Sequence, residues 1–289
     1  CTCYLNLSLK IPKILVTGNG GLLSPYLIAA ADIMGDVVAT GRKSGDIECD
    51  LLNENEVKVL LRDLNPDWVV HAAGMTDVDG CENNPVKANE SNYLTAKNIA
   101  QNLHNNAKLA FISTDQVYPD SVGPHKEKNV GPINVYGRTK YAGEQVILQH
   151  PGAIAIRTNL FGTSLTARRE SFDDFVISNL RMKKEITLFT DVFFSPIHMK
   201  TLSKMVFDLL EGNYTGVINL GSRHGMSKAK FGMEVAKHVG VSTEPVTFGI
   251  SDMIVGRAQR THDLRLDVTL AEQVLGYIMP TLQQEIEKL

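Results

Sequence analysis

A short apolar run, Ile14-Leu15-Val16, is followed at once by Gly18, Gly20 and Gly21, and then by Ser24-Pro25. Apolar on both faces and bounded by glycine, the run reads as a buried strand. The glycines supply a turn with no side chain in the way. Ser24 and Pro25 suit the opening of a helix, as a small capping residue followed by proline at the first helical position. Strand, glycine turn and helix in that order place backbone N–H groups and a helix N-terminus where a pyrophosphate would sit. Taken alone, the pattern also fits an ordinary tight turn. Its place at the head of a long βα alternation favours dinucleotide binding, with Gly18, Asn19, Gly20, Gly21, Leu22 and Leu23 as the cradle.

That alternation predicts strands over 36–40, 47–51, 68–74, 109–115, 153–158 and 216–221. Helices are expected between them, including a long one over 85–105. Strands alternating with helices imply an α/β fold, a doubly wound parallel (Rossmann) sheet. The less regular stretches, with helices near 173–182 and 228–239, imply a smaller, mainly C-terminal substrate lobe. The expected division is a dinucleotide-binding domain over 13–161 and a lobe over 162–194 and 222–289. Residues 195–221 return to the first domain. A formal net charge of −3 over 289 residues gives no reason to expect nucleic acid or an anionic membrane as partner. The apolar runs are too short to span a bilayer. Residues 1–12 do not read as a signal peptide and look like a loosely held lead-in. Cys1, Cys3, Cys49 and Cys81 make neither a metal pattern, beyond one C-x-C, nor a disulfide framework. A reduced cytoplasmic protein without a structural metal is the expectation.

The second predicted strand ends in Thr40, with Arg42 and Lys43 just beyond. Dinucleotide folds read the adenosine ribose here, and an acid would repel a 2′-phosphate. Two cations instead favour NADP(H) over NAD(H); the alternative is a solvated basic turn. Ala72, Ala73 and Gly74 are small enough to let a cofactor approach the fourth strand end, or simply to ease packing. A polar loop over 75–80 follows, at the sheet end where such folds bind ligands. Tyr136 and Lys140 are four apart, hence on one helix face. Delivering a hydride to a ketone creates an alkoxide, which needs a proton and a hydrogen bond. A tyrosine can supply the proton if a nearby cation lowers a pKa normally about 10. Lys140 is placed to do so, and Ser113 or Thr114 could be the second donor. An exposed helix pair would show the same Y-x-x-x-K by chance. The glycine turn, the Ser-Thr pair and Y-x-x-x-K in this order are much rarer together.

At these residues the chain resembles the extended short-chain dehydrogenase/reductase family, and within it the dTDP-4-dehydrorhamnose reductase branch, from residue 13 onward. The matching stretches are Thr17-Gly-x-x-Gly21, His71-Ala-Ala-Gly-Met-Thr-Asp-Val-Asp79, Ile112-Ser-Thr-Asp-Gln-Val-Tyr118, Tyr136-Gly-Arg-Thr-Lys140, Arg157-Thr158, Asp191-Val-Phe-Phe-Ser-Pro196, and Arg260 with Leu266-Asp267. The resemblance implies Tyr136 as proton donor and Lys140 as its pKa modulator and ribose ligand. It also implies Thr114 as hydroxyl donor with Asp115 close by, and Asp50 and Leu51 at the adenine. Ala72 and Ala73 would lie along the cofactor, and Asn92 would serve as a structural or proton-relay residue. Thr76 and Val78 would face the sugar, and Arg260 the nucleotide phosphates. The chain departs from the family at Ser24 (a third glycine there), at Asn159-Leu160 (an aromatic is common), at Thr261 (proline) and at Leu264 (serine). At Leu160 the sugar face loses an aromatic cover that Phe161 or Phe194 would replace.

The implied activity is an NADP(H)-dependent reduction of a 4-keto-deoxysugar, most naturally nucleotide-linked, in a protein compatible with a homodimer. Two alternatives stay open. One is a non-catalytic regulatory subunit like the beta subunit of methionine adenosyltransferase, which shares the family. The other is an epimerase or dehydratase of the same superfamily.

Overall fold

The computed structural model describes residues 11–167, 169–254 and 256–289. Cys1 and Cys3, with nearly all of the lead-in, lie outside them. Seven parallel strands form the central sheet: β1 (Lys13–Thr17), β2 (Asp36–Gly41), β3 (Ile47–Glu48), β4 (Trp68–His71), β5 (Lys108–Ile112), β6 (Ala153–Thr158) and an edge strand, Gly216–Leu220. Their order is Gly216–Leu220, β6, β5, β4, β1, β2, β3. Chain direction across the sheet therefore reverses between β1 and β4, and a crevice opens beyond their carboxyl ends.

Strand alternation sorts the core into two layers. Ile14 and Val16 of β1 pack with Leu27 of α1 (Ser24–Ala31), while Leu15 points the other way, into a cluster with Val57, Leu60 and Leu61 of α2 (Glu54–Leu64). The α2 face is capped by Asn53, whose side chain accepts from the Asn55 and Glu56 amides, and ends at Asn65 in the left-handed conformation. Pro66 prevents continuation. On the second face, helix α6 (Val135–Ile147) contributes Val146 and Ile147. Val268, Ala271 and Met279, in a stretch expected to belong to the lobe, pack instead into the sheet core with Ile14 and Val16. The lobe has cores of its own, centred on Phe161, Phe194 and Phe231, and on Val176, Leu180 and Leu188. Its helices α7 (Phe172–Arg181) and α9 (Lys228–His238) lie close to their expected bounds, with α8 (Met199–Glu211) between them under the sheet.

Several elements differ from expectation for local reasons. Ser24 does not cap α1: Leu23 holds that position, and the Ser24 hydroxyl donates back to the Gly21 carbonyl at 3.2 Å. Strand β3 is two residues long, since β2 offers it only Thr40 and Gly41 as partners. Strands β4 and β5 stop at His71 and Ile112, and the chain beyond leaves the sheet to line the crevice. The loop expected over 75–80 already contains the start of helix α3 (Val78–Asn83). Finally, the helix expected over 85–105 is interrupted. It runs as α4 (Pro85–Asn89), one π-turn (Glu90–Leu94) and α5 (Thr95–Asn102). The Thr95 hydroxyl bonds the Ser91 carbonyl at 2.8 Å, inside that widened turn.

Candidate active site

The crevice is a cleft of about 530 Å³. One end is built from backbone. Gly18 and Gly20 adopt φ of +86° and +87°, and a Cβ on Gly18 would stand 2.7 Å from the Ala73 amide nitrogen. Only glycine fits there. The Gly18 and Asn19 amides both bond the Thr40 carbonyl, at 3.0 and 3.1 Å, so the turn is fixed against β2. Gly18, Asn19, Gly20, Gly21, Leu22 and Leu23 all line the cleft, as do Asp50, Leu51, Ala72, Ala73 and Gly74. Positive-φ glycines leading into the N-terminus of α1 make a cradle suited to a pyrophosphate.

Of the three residues expected at the ribose, Arg42 lines the cleft. Lys43 is exposed and is not on the cleft wall. Thr40 is buried and its hydroxyl donates to the Ile47 carbonyl at 2.7 Å, so it is committed to the β2–β3 pairing. Asn92 does not reach the cleft either. Fully buried on the π-turn, it accepts from the Met75 amide at 2.8 Å and donates to the Met75 carbonyl and the Thr139 hydroxyl, at 3.1 and 3.0 Å. It pins the chain after β4 to α6 and acts as a positioning residue.

At the centre, α6 presents Tyr136 and Lys140, both buried, on one face. Burial pushes the Tyr136 phenol above its usual pKa. A hydrogen bond with Thr114 opposes that, and the charges of Asp115 and Cys81 add to it. Lys140 stands one turn beyond Tyr136 on the same helix. Its ammonium donates to the Ile112 carbonyl at 2.6 Å and lies 3.9 Å from the Phe111 ring centroid. Burial pulls it down to about 7, and Glu144 opposes the shift. The phenol is thus held neutral, with a proton to give.

Ser113 and Thr114 were alternatives for the second donor, and the structure separates them. Ser113 gives its hydroxyl to Glu144 at 2.5 Å. Glu144 in turn receives Arg157 from β6 through both carboxylate oxygens, Oε2 at 2.7 Å and Oε1 at 3.0 Å, in a pair almost wholly out of solvent. Thr114 is left facing the phenol. Its neighbour Asp115 is buried and pushed up to about 6, chiefly by that burial, while hydrogen bonds from Asn159 at 2.6 Å and Thr114 at 3.2 Å favour its ionised form.

Thr76, Val78, Asn159, Leu160 and Arg260 line a further wall of the cleft. Arg260 is paired with Asp79 at 2.8 Å, and Asp79 also accepts from the Ala258 amide. Phe161 and Phe194 do not cover for Leu160. Both are buried in the lobe core, edge-on to Phe231 at 5.0 and 5.3 Å. Phe189 and Val192 line the cleft instead. Also unforeseen on that wall are Arg169, Arg257 and Lys228. Their signal was faint, since single cations in irregular stretches look like solvated surface. Among the described residues no group of His, Cys, Asp or Glu is arranged to hold a metal, and no helix is long and apolar enough to cross a membrane. Cys49 and Cys81 are free and buried, and burial pushes both thiols up to about 11.

The model of the RmlD substrate binding domain matches residues 12–289. The chain belongs to that family. The family falls within the extended short-chain dehydrogenase/reductases, as the motifs implied. A probable low-salt glycan biosynthesis reductase of Haloferax volcanii is 27% identical over 288 residues, covering 95% of this chain and 96% of that one. The dTDP-4-dehydrorhamnose reductase of Mycolicibacterium smegmatis is 29% identical over 239 residues, covering 78% and 70%. Among solved structures, the dTDP-4-dehydrorhamnose reductase of Bacillus anthracis in complex with NADP superposes with a TM-score of 0.88 at 24% identity, over 96% of this chain and 98% of that one. The shared fold is the doubly wound parallel sheet.

Proposed function

We propose that this protein is an NADP(H)-dependent reductase that converts the keto group of a nucleotide-linked 4-keto-deoxysugar to a hydroxyl. The observation that carries the reading is the pairing, in one cleft, of a glycine-built cradle with a buried, neutral tyrosine hydrogen-bonded to the Thr114 hydroxyl. The family relatives named as reductases support it.

In this reading Gly18 to Leu23 hold the pyrophosphate, Asp50 and Leu51 border the adenine, and Arg42 meets the 2′-phosphate. Bound in that cradle, the reduced nicotinamide supplies hydride to the carbonyl carbon. Tyr136 passes its phenolic proton to the oxygen as charge develops there, and Thr114 donates a hydrogen bond to the same oxygen. A phenol with a raised pKa gives little proton away in the ground state, so its transfer is coupled to the reaction itself. Lys140 is close to Gly74, on the cofactor side, and supplies positive charge near the nicotinamide ribose. The lobe provides the sugar end, with Arg257 and Arg260 for the nucleotide phosphates and Leu160, Phe189 and Val192 as apolar cover.

The test is consumption of NADPH with dTDP-4-dehydrorhamnose and related keto-sugars. Tyr136→Phe keeps the ring and its packing but removes the proton. It is expected to lower kcat at least about a hundredfold while leaving NADPH affinity within about twofold. Retention of most of the activity would exclude Tyr136 as the donor.

A further inference from the structure

Helix α9 begins in an unusual way. Ser227 caps it, its side chain accepting from the Lys230 amide at 3.2 Å, and the first helical residue is Lys228. A cation in the first turn opposes the helix dipole. It is also half-buried, its ammonium 5.4 Å from the Phe172 ring centroid and 5.8 Å from that of Phe194, where it forms part of the cleft wall. The carboxylate it faces is Asp115, near enough for each charge to act on the other, yet among the described residues no ion pair closes between them. Unfavourable choices gathered at one position are expected where a ligand repays them.

Asp115 has capacity to spare. It accepts from the Thr114 and Asn159 side chains and from its own backbone amide, and a carboxylate has about four acceptor positions. Burial pulls Lys228 to about 8 and lifts Asp115 to about 6, so at neutral pH a donor still faces an acceptor. Arg257 and Arg260, the other charges acting on Lys228, lower it further and leave its sign unchanged. Asp115 adjoins Thr114 in the chain. A group that reaches it therefore lies one ring atom away from the oxygen that Thr114 and Tyr136 hold.

We propose that Lys228 and Asp115 together bind a single hydroxyl on the ring carbon next to the keto carbon, and so restrict the substrate to keto-sugars that retain that hydroxyl. The hydroxyl gives its proton to the Asp115 carboxylate and receives a hydrogen bond from the Lys228 ammonium. The inference rests on the keto-sugar reading above. A site built to bond a hydroxyl rejects the analogue lacking it far more strongly than an apolar pocket rejects a missing methylene.

The experiment measures calorimetric binding of dTDP-4-dehydrorhamnose and its 3-deoxy counterpart to the full chain in the presence of NADP+. Wild type is expected to prefer the hydroxylated sugar by at least about 100-fold. Lys228→Met should reduce the preference below about tenfold, and Lys228→Arg should keep most of it. An NADP+ affinity equal in all three proteins shows that the cleft is intact. Unchanged preference in Lys228→Met overturns the proposal, and so does a wild type that binds both sugars equally or neither. Preference without NADPH consumption would instead remove the reductase reading and leave the Lys228–Asp115 pair in place.

Discussion

The two ends of the cleft are built differently. At the cradle, the surface that meets a ligand is backbone: Gly18 has a conformation and a clearance that no side chain tolerates, and its neighbours are the small residues Ala72, Ala73 and Gly74. At the lobe end the surface is side chain, drawn from segments far apart in the chain, among them Thr76, Leu160, Phe189, Lys228 and Arg260. A backbone-built site constrains the residue type strictly and leaves its mark in the sequence. A side-chain-built site can exchange one cation or apolar group for another and keep its shape. Under the proposed function, the cradle is therefore the end expected to tolerate few substitutions, and the lobe wall the end expected to tolerate more.

Between the ends runs a joint, the buried Arg157–Glu144 pair. Glu144 lies on α6, one turn beyond Lys140 and two beyond Tyr136, while Arg157 lies in β6 and also donates to the Glu127 carbonyl at 2.6 Å. If the two ends depend on this joint, breaking it harms both. Arg157→Met leaves an uncompensated buried carboxylate and should destabilise the fold by about 3–5 kcal/mol, read from the denaturant midpoint. A loss below about 1 kcal/mol would mean that Glu144 finds other partners and that each end is anchored by itself.

A smaller effect asks whether the cradle end reads anything through a side chain. Arg42 is the one cleft-lining cation at the end of β2. Losing a charge-assisted contact costs about 1.5–3 kcal/mol. Arg42→Ala should raise the Kd for NADPH roughly tenfold or more and leave that for NADH nearly unchanged. Equal losses for both would reduce Arg42 to a surface residue and make the cradle a purely backbone device.

This contrast also explains what the sequence made legible. The alternation of strands and helices and the glycine turn could be read because period, glycine and proline act locally. Tyr136 and Lys140 could be placed on one helix face, and Ser113 and Thr114 near a strand end, because helix spacing and strand ends are short-range facts. What Lys140 does could not, since its bond to the Ile112 carbonyl depends on where β5 ends relative to α6. The π-turn that carries Asn92 is invisible to a 3.6-residue pattern, so its bonds to Met75 could not be read from helix spacing. Phe161 and Phe194 were offered to the sugar because an aromatic beside a site motif looks available. Only the lobe core, with Phe231 between them, shows that they are spent on packing.

The smallest effect concerns how the lobe wall is closed. His262 bonds Asp120 at 3.1 Å through Nδ1 and Asp252 at 3.1 Å through Nε2, with Asp191 at 3.9 Å. Asp191 accepts in turn from the Ser251 amide and hydroxyl, and Ser251 lines the cleft. Burial alone would pull the imidazole down, but the hydrogen bond and charge of Asp120 and the charge of Asp252 outweigh it, and its pKa is raised. A raised folded-state value means that the charged form is the stabilising one. The contribution is fully present below the unfolded value of about 6.5 and disappears as pH climbs through the higher folded value. The group is about one-third exposed, so water and salt screen the pairs and the total stays below about 1 kcal/mol. His262→Gln should thus lower Tm by at most about 2–4 °C near pH 5.5, with the gap closing near pH 8.5. A gap that is flat with pH, or wider on the alkaline side, would show that the ring stabilises this wall by packing rather than by charge.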